Sequence, residues 1–127
     1  MKTRYAVALS MIAGGALGGA AIQGLHAQAK PPAYVITHTE VIDQAAFNEF
    51  SSKVPATMQA FGGKFLVRGG KVTPLEGDPP RRVIVTAFDS VEKAQAWRNS
   101  AGWKDLRPLR AKGTKPSLAY IVEGVTQ

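Results

Sequence analysis

Cysteine is absent from this 127-residue chain, which removes disulfides and thiolate metal sites together. Histidine is nearly absent, with only His26 and His38. So few imidazoles cannot supply a usual transition-metal cluster, and no metal site is expected. Acidic residues are few: nine Asp and Glu face sixteen Lys and Arg, a formal net charge of +7. Several signatures are missing as well. The chain has no phosphate-binding loop, no nucleophile elbow and no paired-carboxylate pattern. The aromatic signature of RNA-recognition modules does not occur either. Neither a cofactor nor a nucleic-acid partner is therefore expected.

What is present begins with a leader. Residues 1–29 read "MKTRYAVALSMIAGGALGGAAIQGLHAQA", with Lys2 and Arg4 first, an apolar run from Tyr5 to Ile22, and an A-x-A site at Ala27-Gln28-Ala29. That order is the pattern of a secretory signal peptide, cleaved after Ala29, and it predicts a secreted or periplasmic protein. A rival reading retains the segment as a membrane anchor. Its 18 apolar residues are at the short end for a spanning helix, and Gly14, Gly15, Gly18 and Gly19 would then form a helix contact surface. Lys30-Pro31-Pro32 follows the site directly as an exposed linker, which favours cleavage. Lys2 and Arg4 would leave with the leader, so the net charge falls to about +5. One domain, residues 33–127, then has to build a modest core without disulfides, a size at which oligomerisation helps.

Along that domain the hydrophobic period changes repeatedly. "AYVITHTEV" (Ala33 to Val41) is β-branched, aromatic and alternating, a strand. Asp43 stands as an N-cap before a helix whose stripe is Phe47, Phe50, Val54, Met58 and Phe61. Pro55 inside it predicts a kink near Ser51, and Gly62 is placed as a left-handed C-cap. "KFLVR" follows as a strand with Phe65 and Val67 on one face and Lys64, Leu66 and Arg68 on the other. Gly69-Gly70 reads as a bulge or bend before "KVTPLEG" resumes an extended pattern. "RVIVTAF" (Arg82 to Phe88) is the clearest strand. Asp89-Ser90 then caps a short helix with Val91, Ala94 and Trp97 inward. "WKDLRPLRAKG" gives further helical turns with Trp103 and Leu106 inward, and "SLAYIVEGV" closes as a strand.

The order strand, helix, strand, strand, helix, strand is the split βαβ arrangement of the ferredoxin-like α+β fold. It implies a four-stranded antiparallel sheet with its helices on one face. The other face keeps apolar residues at alternate positions of "RVIVTAF" and "AYIVEG". A soluble monomer does not leave such a surface bare, so a homodimer through the open sheet face is expected.

With "FGGKFLVRGG", "LEG", "RRVIVTAFDSVEKAQAWRNSAGW" and "YIVEG", the chain resembles the domain of unknown function 1330 family. The resemblance spans Ala33 to Gly124. It implies membership of the dimeric α/β barrel superfamily, beside small monooxygenase-like and muconolactone-isomerase-like proteins. It brings no assigned reaction. Phe61 and Trp103 stand where the family usually has tyrosine, which removes two phenol hydroxyls from any acid–base proposal.

Candidate functional residues are few. His38 reads as a general base or hydrogen-bond donor, with Glu40 on the same strand face, or else as a partly exposed strand histidine. Arg68, beside glycines that admit close backbone approach, suits a ligand carboxylate or enolate oxygen; Glu76 is its alternative, an ion-pair partner within the protein. Trp97 and Trp103 are either core indoles or walls of an apolar pocket between sheet and helices, with Arg68, His38 and Arg110 as its polar groups. The basic run Lys104, Arg107, Arg110, Lys112 and Lys115 reads as a solvated face or an attraction for anions. Two functions follow from different classes. One is a cofactor-free enzyme or binder of a small apolar or anionic molecule; the other is a non-catalytic scaffolding homodimer. No membrane partner is expected unless the leader is retained.

Overall fold

Strand β1 (Ala33–Val41) starts the domain at the expected bounds, and it is the central organiser of the sheet. The computed structural model describes residues 30–126; the expected leader lies outside the described residues. Helix α1 (Gln44–Met58) follows, and its N-cap is Asp43, whose carboxylate accepts from the Ala46 N–H at 3.1 Å. That bond satisfies one of the orphan donors of the first turn. A single 3₁₀ turn, Gln59–Phe61, ends at Gly62, whose φ of 72° is the left-handed cap expected there.

Strands β2 (Lys64–Arg68) and β3 (Arg82–Phe88) come next, then helices α2 (Val91–Arg98), α3 (Ala101–Lys104) and α4 (Arg107–Gly113), and finally β4 (Thr114–Glu123). Ser90 and Ser100 cap α2 and α3 through their hydroxyls, so serine rather than glycine separates the two helices. Among the described residues the sheet has four strands in the order β2-β3-β1-β4. Every described pairing is antiparallel. The fold is ferredoxin-like, α+β.

Alternation along β1 divides the sheet cleanly. Ala33, Val35 and Thr39 are buried beneath the helices, while Tyr34, Ile36 and His38 take the opposite face. The core joins Val35 to Phe47, Phe50, Val54 and Met58 of α1, Phe88 of β3, and Trp97 and Trp103 of the later helices. These are the stripe residues of the sequence, all inward. The open face carries Leu66, Leu118, Tyr120 and Val122, each at least 40% exposed.

Two expectations need correction. "KVTPLEG" does not resume the strand: β2 stops at Arg68, and the bend expected at the glycine pair ends it. Gly69 makes the turn at φ 75°, where a side chain would also strike the Arg82 guanidinium. The irregularity expected at the glycines lies earlier, between Phe65 and Val67, where the register against β3 shifts. This bulge moves Arg68 off the face it would share with Leu66. Arg68 pairs with Ile84 and Phe65 with Thr86, so both belong to the helix-covered face.

Candidate functional site

The helix-covered face of the sheet and the aromatic side chains above it leave a cavity of about 50 Å³. Its ceiling is built from the α1 stripe, Phe47, Phe50 and Val54, and from Trp97 and Trp103. The rings are in mutual contact. Trp97 and Trp103 lie 4.8 Å apart between centroids, Trp103 meets Phe50 edge-on at 5.8 Å, and Phe88 stacks on Trp97 at 5.3 Å. Trp97 is fixed by its indole N–H, which donates to Thr57 Oγ1 at 2.8 Å. The floor comes from β1 and β3, with Thr39, Thr86 and Ile84 among its residues.

Four arginines enter this apolar space: Arg68, Arg82, Arg98 and Arg110. Arg82, the first residue of β3, lies opposite Thr39 in the register. Its guanidinium carbon is 4.7 Å from the centroid of the Phe47 ring. Arg68 stands over Phe65 at 4.1 Å and donates to the Ser51 carbonyl at 2.6 Å and to Ser51 Oγ at 3.1 Å. Arg98 covers Trp103 at 4.3 Å, and Arg110 approaches the same ring at 5.6 Å. Among the described residues none of these four guanidiniums has a carboxylate partner.

The electrostatics follow from that crowding. Burial disfavours the charged form of Arg82, and Arg68 nearby adds to the effect, so the Arg82 pKa is lowered. Arg98 is pushed down to about 10, first by burial and then by the charges of Arg110 and Arg107. Arg110 is lowered by burial and by Arg107. The cavity thus holds positive charge that is not paired with a carboxylate among the described residues.

Three buried polar atoms without a hydrogen-bond partner among the described residues all belong to cavity-lining side chains: Thr39 Oγ1, Thr86 Oγ1 and Arg82 Nε. A buried donor or acceptor left unpaired costs about 1–3 kcal/mol. Three on one floor are therefore a large charge against a domain stability of about 5–15 kcal/mol.

Of the residues expected from sequence, the structure brings together Arg68, Trp97, Trp103 and Arg110. It does not bring His38 to them. His38 lies on the open face, with its ring edge-on to Tyr120 at 5.8 Å, because its position on β1 is out of phase with Val35 and Thr39. Glu76 is exposed in the loop after β2, and the Arg68 guanidinium bonds to Ser51 instead of to it. Glu40 is engaged at the sheet rim by Arg81 at 3.3 Å and Lys115 at 3.8 Å. The residues missed were Arg82, Arg98 and the two threonines. Arg82 shares the alternation of Ile84, Thr86 and Phe88, and that phase was the available signal.

A family model described as "Domain of unknown function (DUF1330)" matches residues 32–125. No curated protein is significantly similar. Among solved structures, a protein of unknown function from Rhodopseudomonas palustris is 12% identical with a TM-score of 0.64, covering 77% of this chain and 85% of that one. SnoaB, a cofactor-independent oxygenase from Streptomyces nogalater, is 12% identical with a TM-score of 0.55, covering 76% and 96%. A dimeric ferredoxin-like protein of unknown function from Bacteroides fragilis is 11% identical with a TM-score of 0.50, covering 73% and 96%.

Proposed function

The chain belongs to the domain of unknown function 1330 family, and on that premise we propose that it is an exported homodimer that binds a small organic anion between sheet and helices. One observation carries the ligand: the three unpartnered atoms, Thr39 Oγ1, Thr86 Oγ1 and Arg82 Nε, line the same ring-walled cavity as Arg68. Two hydroxyls and two guanidiniums supply rotatable and charged donors that match a carboxylate, and the rings accept its apolar remainder. Arg68 anchors the anion at the mouth, where its exposure leaves it accessible, and Arg82 does so at the floor.

Binding is the reading favoured over catalysis. Among the described residues the side chains lining the cavity are threonine, serine, aromatic, aliphatic and arginine, with no histidine or carboxylate to move a proton near neutral pH. SnoaB shares the fold and works as a cofactor-independent oxygenase, but at this level of identity only the fold carries over. Export rests on the ordering of residues 1–29, and an intact mass of the secreted form beginning at Lys30 is the expected result. The homodimer is supported by the exposed apolar sheet face and by the dimeric neighbour.

The ligand proposal is tested by thermal unfolding with butyrate and with its neutral isostere butyramide. Butyrate is expected to raise the midpoint of the wild type and not of Arg82→Gln. Equal effects of acid and amide would refute anion recognition.

A further inference from the structure

Resting on that anion reading of the cavity, we infer that its ligand is a short dicarboxylate, held by Arg68 and Arg82 at one end and by Arg98 and Arg110 at the other. The four guanidiniums form two pairs, and one member of each, Arg82 and Arg98, lies at an end of one row of ring contacts. Arg82 lies over Phe47, Phe47 meets Phe50 at 6.3 Å, Phe50 meets Trp103 at 5.8 Å, and Arg98 lies over Trp103. Arg110 approaches Trp103 as well. Repulsion runs within the pairs: Arg82 is affected by Arg68, and Arg98 by Arg110 with Arg107 beside it.

One carboxylate compensates one pair and leaves the other as it was. Stacking on Trp103 gives Arg98 a favourable contact, but a neutral ring does not cancel the positive charge of Arg98 and Arg110. A second acid group does, through charge-assisted hydrogen bonds in a site of low polarity. Space limits the spacer between the acids. At about 10–15 Å³ for each water-sized occupant, a cavity of about 50 Å³ admits roughly four such groups. With two of these taken by the carboxylates at the arginine-lined ends, that suits a spacer of about two methylenes and disfavours a fused aromatic skeleton.

The test is calorimetric titration of the wild type, Arg82→Gln, Arg98→Gln and Arg110→Gln with succinate and adipate, and with butyrate and hexanoate as their monoacid counterparts. The better-fitting dicarboxylate is expected to bind the wild type at least about tenfold tighter than its monoacid. Arg98→Gln is expected to abolish that gain, bringing the affinity for the diacid down to that for its monoacid, and Arg110→Gln carries the same expectation should the first variant fold poorly. Arg82→Gln is expected to weaken both classes. Equal affinity of diacid and monoacid in the wild type, or a gain that survives both helix-side substitutions, would overturn the dicarboxylate and leave the anion site standing. Failure of all four acids to bind would overturn both.

Discussion

The Arg68 guanidinium donates at 2.6 Å to the carbonyl of Ser51, the one carbonyl in α1 that Pro55 cannot serve. In a regular helix residue 55 would donate its N–H to residue 51, and proline has none. The proline therefore creates an acceptor on the helix wall facing the sheet, and the β2 bulge delivers the arginine that fills it. The charge remains available for a ligand because its partner is a neutral carbonyl.

Pro55 and Arg68 should consequently be coupled. Arg68→Met alone is expected to cost about 1 kcal/mol, a value kept low because the bond is exposed. In a Pro55→Ala background the Ser51 carbonyl regains a helical donor, and the same substitution should cost measurably less. Urea unfolding of the four proteins of the cycle gives the coupling energy. Full additivity would mean that the proline is not what positions the arginine.

The second prediction concerns Arg98, whose pKa is pushed down to about 10 by burial and then by its neighbours Arg110 and Arg107. A cation whose folded pKa lies below its unfolded one burdens the fold wherever it is charged. Its burden fades only as pH rises from about 10 towards the ordinary arginine value, because the unfolded chain then holds more protons. Across the neutral range pH leaves it unchanged, and salt is the better handle. Raising sodium chloride from low to moderate concentration should stabilise the wild type by screening the cluster, and should stabilise Arg98→Gln less. Paired thermal midpoints across the salt series measure the difference; parallel curves would show that the repulsion is already relieved.

The open sheet face gives the third prediction. Leu118, Tyr120 and Val122 project from β4 on the side away from the helices, at 59%, 40% and 44% exposure. Burying such a face against a second copy removes the patch from water. Light scattering at micromolar concentration is expected to give the mass of two protomers for the wild type and of one for Tyr120→Glu, whose far-UV spectrum should be unchanged. A wild-type mass of one protomer would refute the dimer.

Much of this architecture was legible in the sequence because it depends on local period. The alternation of "AYVITHTEV" and "RVIVTAF" fixed both strands to the residue. The i, i+3, i+4 stripe from Phe47 to Met58 identified the buried face of α1. The site was legible only in part. Arg68 was expected in the pocket but grouped with Lys64 and Leu66 instead of with Phe65, because a bulge shifts the phase of a strand without a mark in its composition. Arg82 escaped notice because a charged residue opening a strand ordinarily faces solvent. His38 attracted attention by rarity, but its alternation puts it beneath the sheet, away from the cavity.

The anion site itself is tested most directly at the atom that motivates it. The side-chain Nε–H correlation of Arg82, assigned in a two-dimensional ¹H–¹⁵N spectrum by its loss in Arg82→Gln, can be followed during titration with butyrate and with butyramide. A saturable shift with butyrate, absent with the amide, is the expected result. An Arg82 signal that does not move with butyrate, or moves equally with both, would contradict the assignment of the cavity as an anion-binding site.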